Sequence, residues 1–331
     1  MKKILRILVV LFLVIAVFSF SNTAEAAQKG WPKGVTIGTA PMGSTYFVLL
    51  SGWGDLINKQ VGLNTAVEST GGPAANVVLI EKEGIDLGAA TNLVLYQGWN
   101  GQAWAKGIKY HEARAILPLL PGTLHIYAPK DRGIKSIYDL NGKRVCVGGA
   151  GTTPGILGPM LWDILGIKVA KKVNLGWTDA NSAMRDGLVD AVQGLMGLPF
   201  PSAVELSATH EITICSIPEK DIPKVQEALP LLGNTTVPAN TYKGQTQAIP
   251  TIDVWGYMLA DKDLPNDLIY EIVKKTIENI DDLLLVHKSA RHIKNLPAIK
   301  NSVVPIHSGA IKFYKEKGIT IPDKLIPPEF K

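Results

Sequence analysis

At 331 residues the chain is longer than one hydrophobic core usually serves, so two domains are the starting expectation. Its 46% hydrophobic and 19% charged residues are ordinary for a soluble globular protein. The formal charge of +5 comes from scattered Lys and Arg, without a basic helix or an aromatic-interleaved stripe. That pattern argues against a nucleic-acid partner and mildly favours an anionic ligand.

Met1–Ala26 reads as a cleavable signal peptide: Lys2, Lys3 and Arg6, then an apolar run from Ile7 to Phe18, then the small residues Ala24-Glu25-Ala26. The run is short for a membrane span, and no cysteine follows it to carry a lipid anchor. A free periplasmic protein of a Gram-negative cell fits, cleaved near Ala26 and carrying +3 afterwards, because Lys2, Lys3, Arg6 and Glu25 leave together.

The mature chain opens with a strand, Val35–Gly38, a loop Thr39–Tyr46, and a helix Phe47–Lys59 with Leu50, Trp53, Leu56 and Ile57 on its apolar face. Val67 closes the next strand. Ser69-Thr70-Gly71-Gly72 forms a tight loop, and Pro73 suits the first turn of a helix running to about Glu83. Gly84 is expected to be the left-handed cap, and Ile85–Ala90 returns as a strand with Thr91-Asn92 at its carboxyl end. The N–H groups that open such a helix are unpaired and attract anions.

A helical stretch through Trp99 and Trp104 follows, then a strand Ala115–Leu120 ending at Pro121-Gly122, with Leu124–Tyr127 leading into a new unit. That unit repeats the grammar: strand 143–147, loop Gly148–Pro154, helix Gly155–Leu165. Ala183–Val192 also echoes Ile80–Ala89, each a helix end, a glycine and a strand opened by an aspartate, so one βαβ architecture is built twice. Leu206–Ile217 reads as a short strand and 221–244 as proline-rich and polar. Thr251–Ala260 is a long strand, Pro265–His287 one helix, and Ile311–Lys317 a last short helix.

The expected fold is α/β: two βαβ-built lobes joined by two crossing strands near 124–127 and 252–258, with residues 27–123 and 251–331 in one lobe and 124–250 in the other. Ligands of open α/β sheets sit beyond the carboxyl ends of the strands, so two facing edges define a cleft, and the crossing strands supply a hinge. Cys146 and Cys215 fall in predicted strands without a local His, which suggests two buried free thiols.

The motifs resemble the TAXI family of solute receptors, which serve tripartite TRAP transporters. Ser44-Thr45-Tyr46 matches the last two residues of the family's Gly-Thr-Tyr. Glu68–Gly72 matches in full, as do Asn76, Asn100-Gly101 and the entry Asp139–Val145. Pro238–Tyr242, Gly244-Gln245 and Pro305–Tyr314 are similar to the family's carboxyl-terminal pattern. The sequence departs at Gly151-Thr152-Thr153-Pro154, where the family has Gly-Ser-Gly-Thr. Gln193 stands in place of a pocket ring, and Leu93 where aspartate is common. The resemblance implies a type II periplasmic-binding-protein fold and capture of a small carboxylate-bearing solute, such as a glutamate- or glutamine-like amino acid or a dicarboxylate. It implies delivery to TRAP membrane subunits, often fused in this class. No cofactor, metal or nucleic acid is expected, and the receptor should be a monomer.

The expected contacts are Ser44, Thr45, Tyr46, Thr70, Gly71, Gly72 and Asn92 from the first lobe, and Thr152, Thr153 and Gln193 from the second. Each hydroxyl could instead cap a helix or hold a turn, and Trp177 reads as either packing or cleft wall. None of Arg114, Arg132, Arg144, Arg185 or Arg291 lies on a predicted cleft loop, against an arginine clamp. Enzyme readings find no Gly-x-Ser-x-Gly, His-Glu-x-x-His or Cys-x-x-Cys, and Pro154 breaks the dinucleotide fingerprint begun by Gly149-Ala150-Gly151. Asp86 and Asp190 read as structural, His125 and His307 as backbone-bonding. The alternatives are a receptor for an ABC importer, or a hydrolase or transferase on the same fold.

Overall fold

The computed structural model describes residues 30–330. The expected signal peptide and its cleavage point lie outside them. From Gly34 onward ten strands form one mixed sheet, in the order β2 (Asn64–Glu68), β1 (Gly34–Gly38), β3 (Leu87–Thr91), β10 (Ile249–Asp261), β4 (Ala113–Pro129), β7 (Ala191–Met196), β5 (Arg144–Cys146), β6 (Lys171–Val173), with β8 (Ile212–Cys215) on β4 and β9 (Gly233–Val237) on β10. No helix among the described residues is long and apolar enough to cross a membrane.

The first half runs β1 (Gly34–Gly38), α1 (Thr45–Val61), β2 (Asn64–Glu68), α2 (Pro73–Glu81), β3 (Leu87–Thr91) and α3 (Asn92–Asn100). The second runs β5 (Arg144–Cys146), α4 (Thr153–Leu165), β6 (Lys171–Val173), α5 (Trp177–Arg185), β7 (Ala191–Met196) and α6 (Pro201–Thr209). Strand orders 2-1-3 and 6-5-7 are the same order, parallel within each half. The architecture is thus built twice. The structural counterpart of Gly148–Pro154 is the loop before α1, whereas the sequence grammar aligned it with the loop before α2.

Two long antiparallel strands pass through both halves. These are β4 (Ala113–Pro129) and β10 (Ile249–Asp261). The first half of β4 meets β10, while Thr123–Tyr127 turns to β7 and Ile126–Pro129 to β8. The end of β10 pairs with β3, and its start with β9 (Gly233–Val237). This arrangement is the two-lobed α/β fold with a double crossover.

Several boundaries differ from the sequence expectation. β4 does not stop at Pro121-Gly122. Pro121 faces Trp255, where β10 shifts register before Tyr257, so its missing N–H costs the ladder little. The helix expected over 265–287 breaks into α8 (Asn266–Glu278) and α9 (Ile280–Val286), because the Asn279 amide donates to the Lys275 carbonyl and ends the ladder. Leu206 belongs to α6, leaving only β8 (Ile212–Cys215), and the polar stretch after 221 holds α7 (Ile222–Ala228) and β9. α10 spans Ser308–Glu316. The left-handed residue after α2 is Glu83, with φ 55°, while the Gly84 N–H donates to the Leu79 carbonyl.

Burial anchors each half separately. Leu49, Leu50, Trp53 and Ile57 of α1 pack inward, and the Trp53 indole donates to the Thr276 hydroxyl of α8 at 2.8 Å. Leu124, Ile126, Val145, Leu157, Leu161 and Leu195 belong to the core on the α4 side of the second half. Each such side chain contributes about 1.5–3 kcal/mol on burial. Cys146 and Cys215 are free and buried. Asp86 and Asp190 do the same task in the two halves. Asp86 accepts from the Thr36 N–H at 2.7 Å, and Asp190 from the Arg144 N–H at 2.8 Å, tying each third strand to its neighbour. The Arg144 guanidinium adds a bidentate pair that holds the Asp190 carboxyl below its usual range.

Candidate functional site

Five helices begin around one cavity. Its wall includes Ser44 and Tyr46 at the start of α1, Pro73 of α2, Thr91 before α3, Thr152, Thr153 and Pro154 of α4, and Trp177 of α5. Helix starts carry partial positive charge in their unpaired N–H groups. The cavity is about 30 Å³, room for about two waters, and no charged side chain lines it. A wider depression of about 510 Å³ lies on the second half beside Lys130, His210 and Lys243. Neither Tyr46 nor Trp177, the residues of the buried donors described below, lines it.

Two of the hydroxyls close the turns they sit in. Ser44 accepts from the Phe47 N–H at 3.1 Å, and Thr152 from the Gly155 N–H at 3.2 Å, the same cap at the same place in each half. Thr91 and Thr153 share a hydrogen bond of 3.0 Å from one half to the other. The Ala74 N–H donates to the Gly151 carbonyl at 3.0 Å, and the Thr45 hydroxyl reaches the Gly197 carbonyl at 3.5 Å. The Ser289 hydroxyl donates to the Leu198 carbonyl at 3.1 Å beside the last of these, so the halves meet around the cavity through several polar contacts.

Two donors on the wall have no partner. The Tyr46 hydroxyl and the Trp177 indole N–H are both buried and unbonded. Burial raises the phenol well above its usual range, so Tyr46 stays protonated and can donate. Its oxygen lies over Gly256, where a Cβ would overlap it. Trp177 packs edge-on against Phe200 at 5.2 Å, and its ring covers Gly148 so closely that only glycine fits there.

Of the expected contacts, the structure brings Ser44, Tyr46, Thr152 and Thr153 to the cavity wall. Thr45, at the seam, is not part of it. Thr70 is a turn residue: its hydroxyl bonds the Asn76 side-chain oxygen at 2.7 Å and accepts from the Gly72 N–H at 3.1 Å. Gly71 and Gly72 pack against Gly151 and Thr152 of the other half, which places them at the rim. Asn92 misses by one residue. It turns away and donates to the Asn301 carbonyl at 2.8 Å, leaving Thr91 on the wall. Gln193 lies in the core beneath α4, accepting from the Trp162 indole at 2.8 Å, so it does not replace a pocket ring. Sequence reasoning missed Thr91 and left Trp177 undecided. The signal available was that each directly opens or precedes a helix at a strand's carboxyl edge.

The arginines stay clear, as expected: Arg114 bonds Glu329, and Arg144 bonds Asp190. His125 is buried, and burial lowers it to about 4 although its bond with the Thr123 carbonyl opposes this. Its other nitrogen meets the Tyr242 hydroxyl at 3.0 Å. His307 accepts from the Gly309 N–H and starts α10.

The model of the NMT1-like family matches residues 37–318. The chain belongs to the NMT1-like family. Among solved structures it is similar to MatC (Rpa3494) from Rhodopseudomonas palustris, solved with malate bound, with TM-score 0.54 and 15% identity over 78% of this chain and 88% of that one. It is also similar to the periplasmic binding protein BugD, with TM-score 0.53 and 14% identity over 88% and 100%. A periplasmic transporter structure aligns with TM-score 0.51 and 16% identity over 88% and 93%. At such identities the likeness establishes the shared fold. Within this NMT1-like chain, the cavity lies beyond the carboxyl ends of the parallel strands of both halves.

Proposed function

We propose that this NMT1-like protein is a periplasmic solute receptor of the TAXI type. It captures a small carboxylate-bearing solute between the lobes 27–123 with 251–331 and 124–250, and presents it to TRAP membrane subunits. The observation that carries the reading is the convergence of five helix starts on one cavity whose lining residues include Tyr46 and Trp177, each with an unpartnered buried donor. Each start adds about 0.3–1 kcal/mol for an anion, more where partly buried, and each hydrogen bond to a charged group about 1.5–3 kcal/mol. Micromolar affinity needs about −8 kcal/mol after ordering costs, which such a set can supply without an arginine.

A cavity of about 30 Å³ is smaller than such a solute. Entry therefore requires the halves to part about β4 and β10, breaking the Thr91–Thr153 and Ala74–Gly151 contacts. The malate bound by MatC supports a carboxylate as the solute class. The TAXI assignment rests on Glu68–Gly72, Asn76 and the carboxyl-terminal motifs. Nothing around the cavity pairs a nucleophile with a base, so binding without turnover is the expected activity.

The test is mass spectrometry of solute released from gently unfolded purified protein, with thermal shifts against small carboxylates. A retained carboxylate that raises the melting temperature supports the receptor. Turnover of that compound, or a solute without an acidic group, would sink it.

A further inference from the structure

We infer that the solute is a monocarboxylate with an uncharged, apolar body, its carboxylate taken by the Tyr46 hydroxyl of one half and the Trp177 indole N–H of the other. This rests on the receptor reading above and narrows its ligand. The two donors are the unpartnered polar groups of the wall, both more than nine-tenths buried, and they come from opposite halves. A carboxylate has two oxygens, each able to accept one of them. An anion bonded to both would tie the halves together, which is what a receptor needs to recognise its loaded state.

Apart from the hydroxyls of Ser44, Thr91, Thr152 and Thr153, which already bond within the protein, the rest of the wall is apolar and includes Pro41, Pro73, Leu120, Leu195 and Met196. No carboxylate lines it to pair with an ammonium. The five helix starts that attract an anion repel a cation by the same field. An α-amino acid would therefore bury its ammonium unpaired and against that field. A dicarboxylate would bury a second anion against the apolar side, where neither lysine nor arginine is present. Arg114 and Arg144 are both held elsewhere by carboxylates, at 2.5 and 2.7 Å. A hydrocarbon body meets no such conflict.

The test is calorimetric titration of the purified protein with four matched compounds. 4-Methylpentanoate is the reference. L-leucine adds an ammonium to the same skeleton, glutarate keeps a five-carbon chain and ends it in a second carboxylate, and 4-methylpentanamide removes the charge. The expected result is that 4-methylpentanoate binds at least tenfold more tightly than each of the other three. Tighter binding of leucine or glutarate overturns the narrowing and leaves the carboxylate receptor standing. No binding by any of the four also overturns the narrowing, and tighter binding of the amide overturns both. Trp177→Phe and Tyr46→Phe keep their rings and remove one donor each. Each should weaken 4-methylpentanoate about tenfold while the free protein melts within a few degrees of the parent, and unchanged affinity in both variants removes the two donors from the proposal.

Discussion

The two halves reach the cavity with the same succession of elements and hold their second helix start in different ways. In the first half the start of α2 is fixed by hydrogen bonds. The Asn76 amide, fully buried, donates to the Thr39 and Ala89 carbonyls at 2.7 and 2.9 Å, and its oxygen bonds Thr70, which in turn accepts from the Gly72 N–H. In the second half the start of α5 is held from behind. The Ser202 hydroxyl donates to the Trp177 carbonyl at 3.1 Å, Asn181 links Tyr127 to the Ser202 carbonyl, and the indole packs on Phe200. The first anchor uses the side-chain groups of the loop itself, whereas the second takes its hydrogen bonds through the backbone carbonyl of Trp177 and residues behind it, leaving the indole N–H unbonded. The difference teaches which residues can meet a solute: those whose hydrogen bonds the fold has not already used.

Removing the polar anchor gives the largest expected loss. Asn76→Ala removes the side-chain donor to the Ala89 and Thr39 carbonyls and the short bond from the Thr70 hydroxyl, which keeps only its 3.1 Å bond to the Thr39 carbonyl, each loss about 1–3 kcal/mol. It should lower unfolding free energy by about 4 kcal/mol in chemical denaturation. A loss below about 1 kcal/mol would mean that packing holds the first loop and its hydrogen bonds contribute little, and would erase the contrast.

The second half has its own sensitivity, to acid. His125 packs edge-on against Phe200 at 5.5 Å, and its Nδ1 and Nε2 meet the Thr123 carbonyl and the Tyr242 hydroxyl. Burial lowers it from 6.5 to about 4, so the unfolded chain binds the proton first. Its contribution is complete above pH 6.5 and is lost as pH falls toward 4, about 3 kcal/mol in all. Asp253, which burial raises to about 6, acts in the opposite sense as pH falls from 6 to 3.8. His292 and His307, both lowered to about 4, act in the same sense as His125. The gap in stability between the parent and His125→Gln isolates the one residue. It should shrink by about 3 kcal/mol from pH 7 to pH 4, and a constant gap would deny the buried neutral imidazole.

Thr70 and Thr153 test the comparison between equivalent-looking hydroxyls. Thr70→Val should cost about 1–2 kcal/mol of stability because the Gly72 N–H and Asn76 lose their partner. Once that loss is allowed for, solute affinity should change little. A fall in affinity with unchanged melting temperature would return Thr70 to the list of contacts.

The same distinction explains what could be read from sequence. The duplicated βαβ plan was legible because hydrophobic period, glycine and proline mark strands, turns and helix starts locally. Asp86 and Asp190 were rightly read as structural. Ser44 and Thr152 were found as polar tips, but residue type alone cannot separate a cap from a contact. Gln193 shows why: strand alternation leaves two faces open, and its partner Trp162 lies 31 residues away. Asn92 and Thr91 differ by one position, and only the geometry where β3 passes into α3 decides which of them faces the cavity. Pro121 reads as a strand end in the sequence because the register shift that accommodates it lies in β10.

The smallest expected effect concerns the seam itself. The Thr91–Thr153 hydrogen bond joins the halves between neutral hydroxyls, so its net worth is about 0.5–1.5 kcal/mol. It forms only when the halves are together, and therefore weighs on the balance between open and closed forms more than on folding. Thr91→Val and Thr153→Val should each increase the open population severalfold. The double variant should add little, since either change removes the same bond. Small-angle scattering of the free protein would register this as a larger radius of gyration in all three variants. Additive expansion in the double variant would mean that the two hydroxyls act on separate partners and do not latch the lobes to each other.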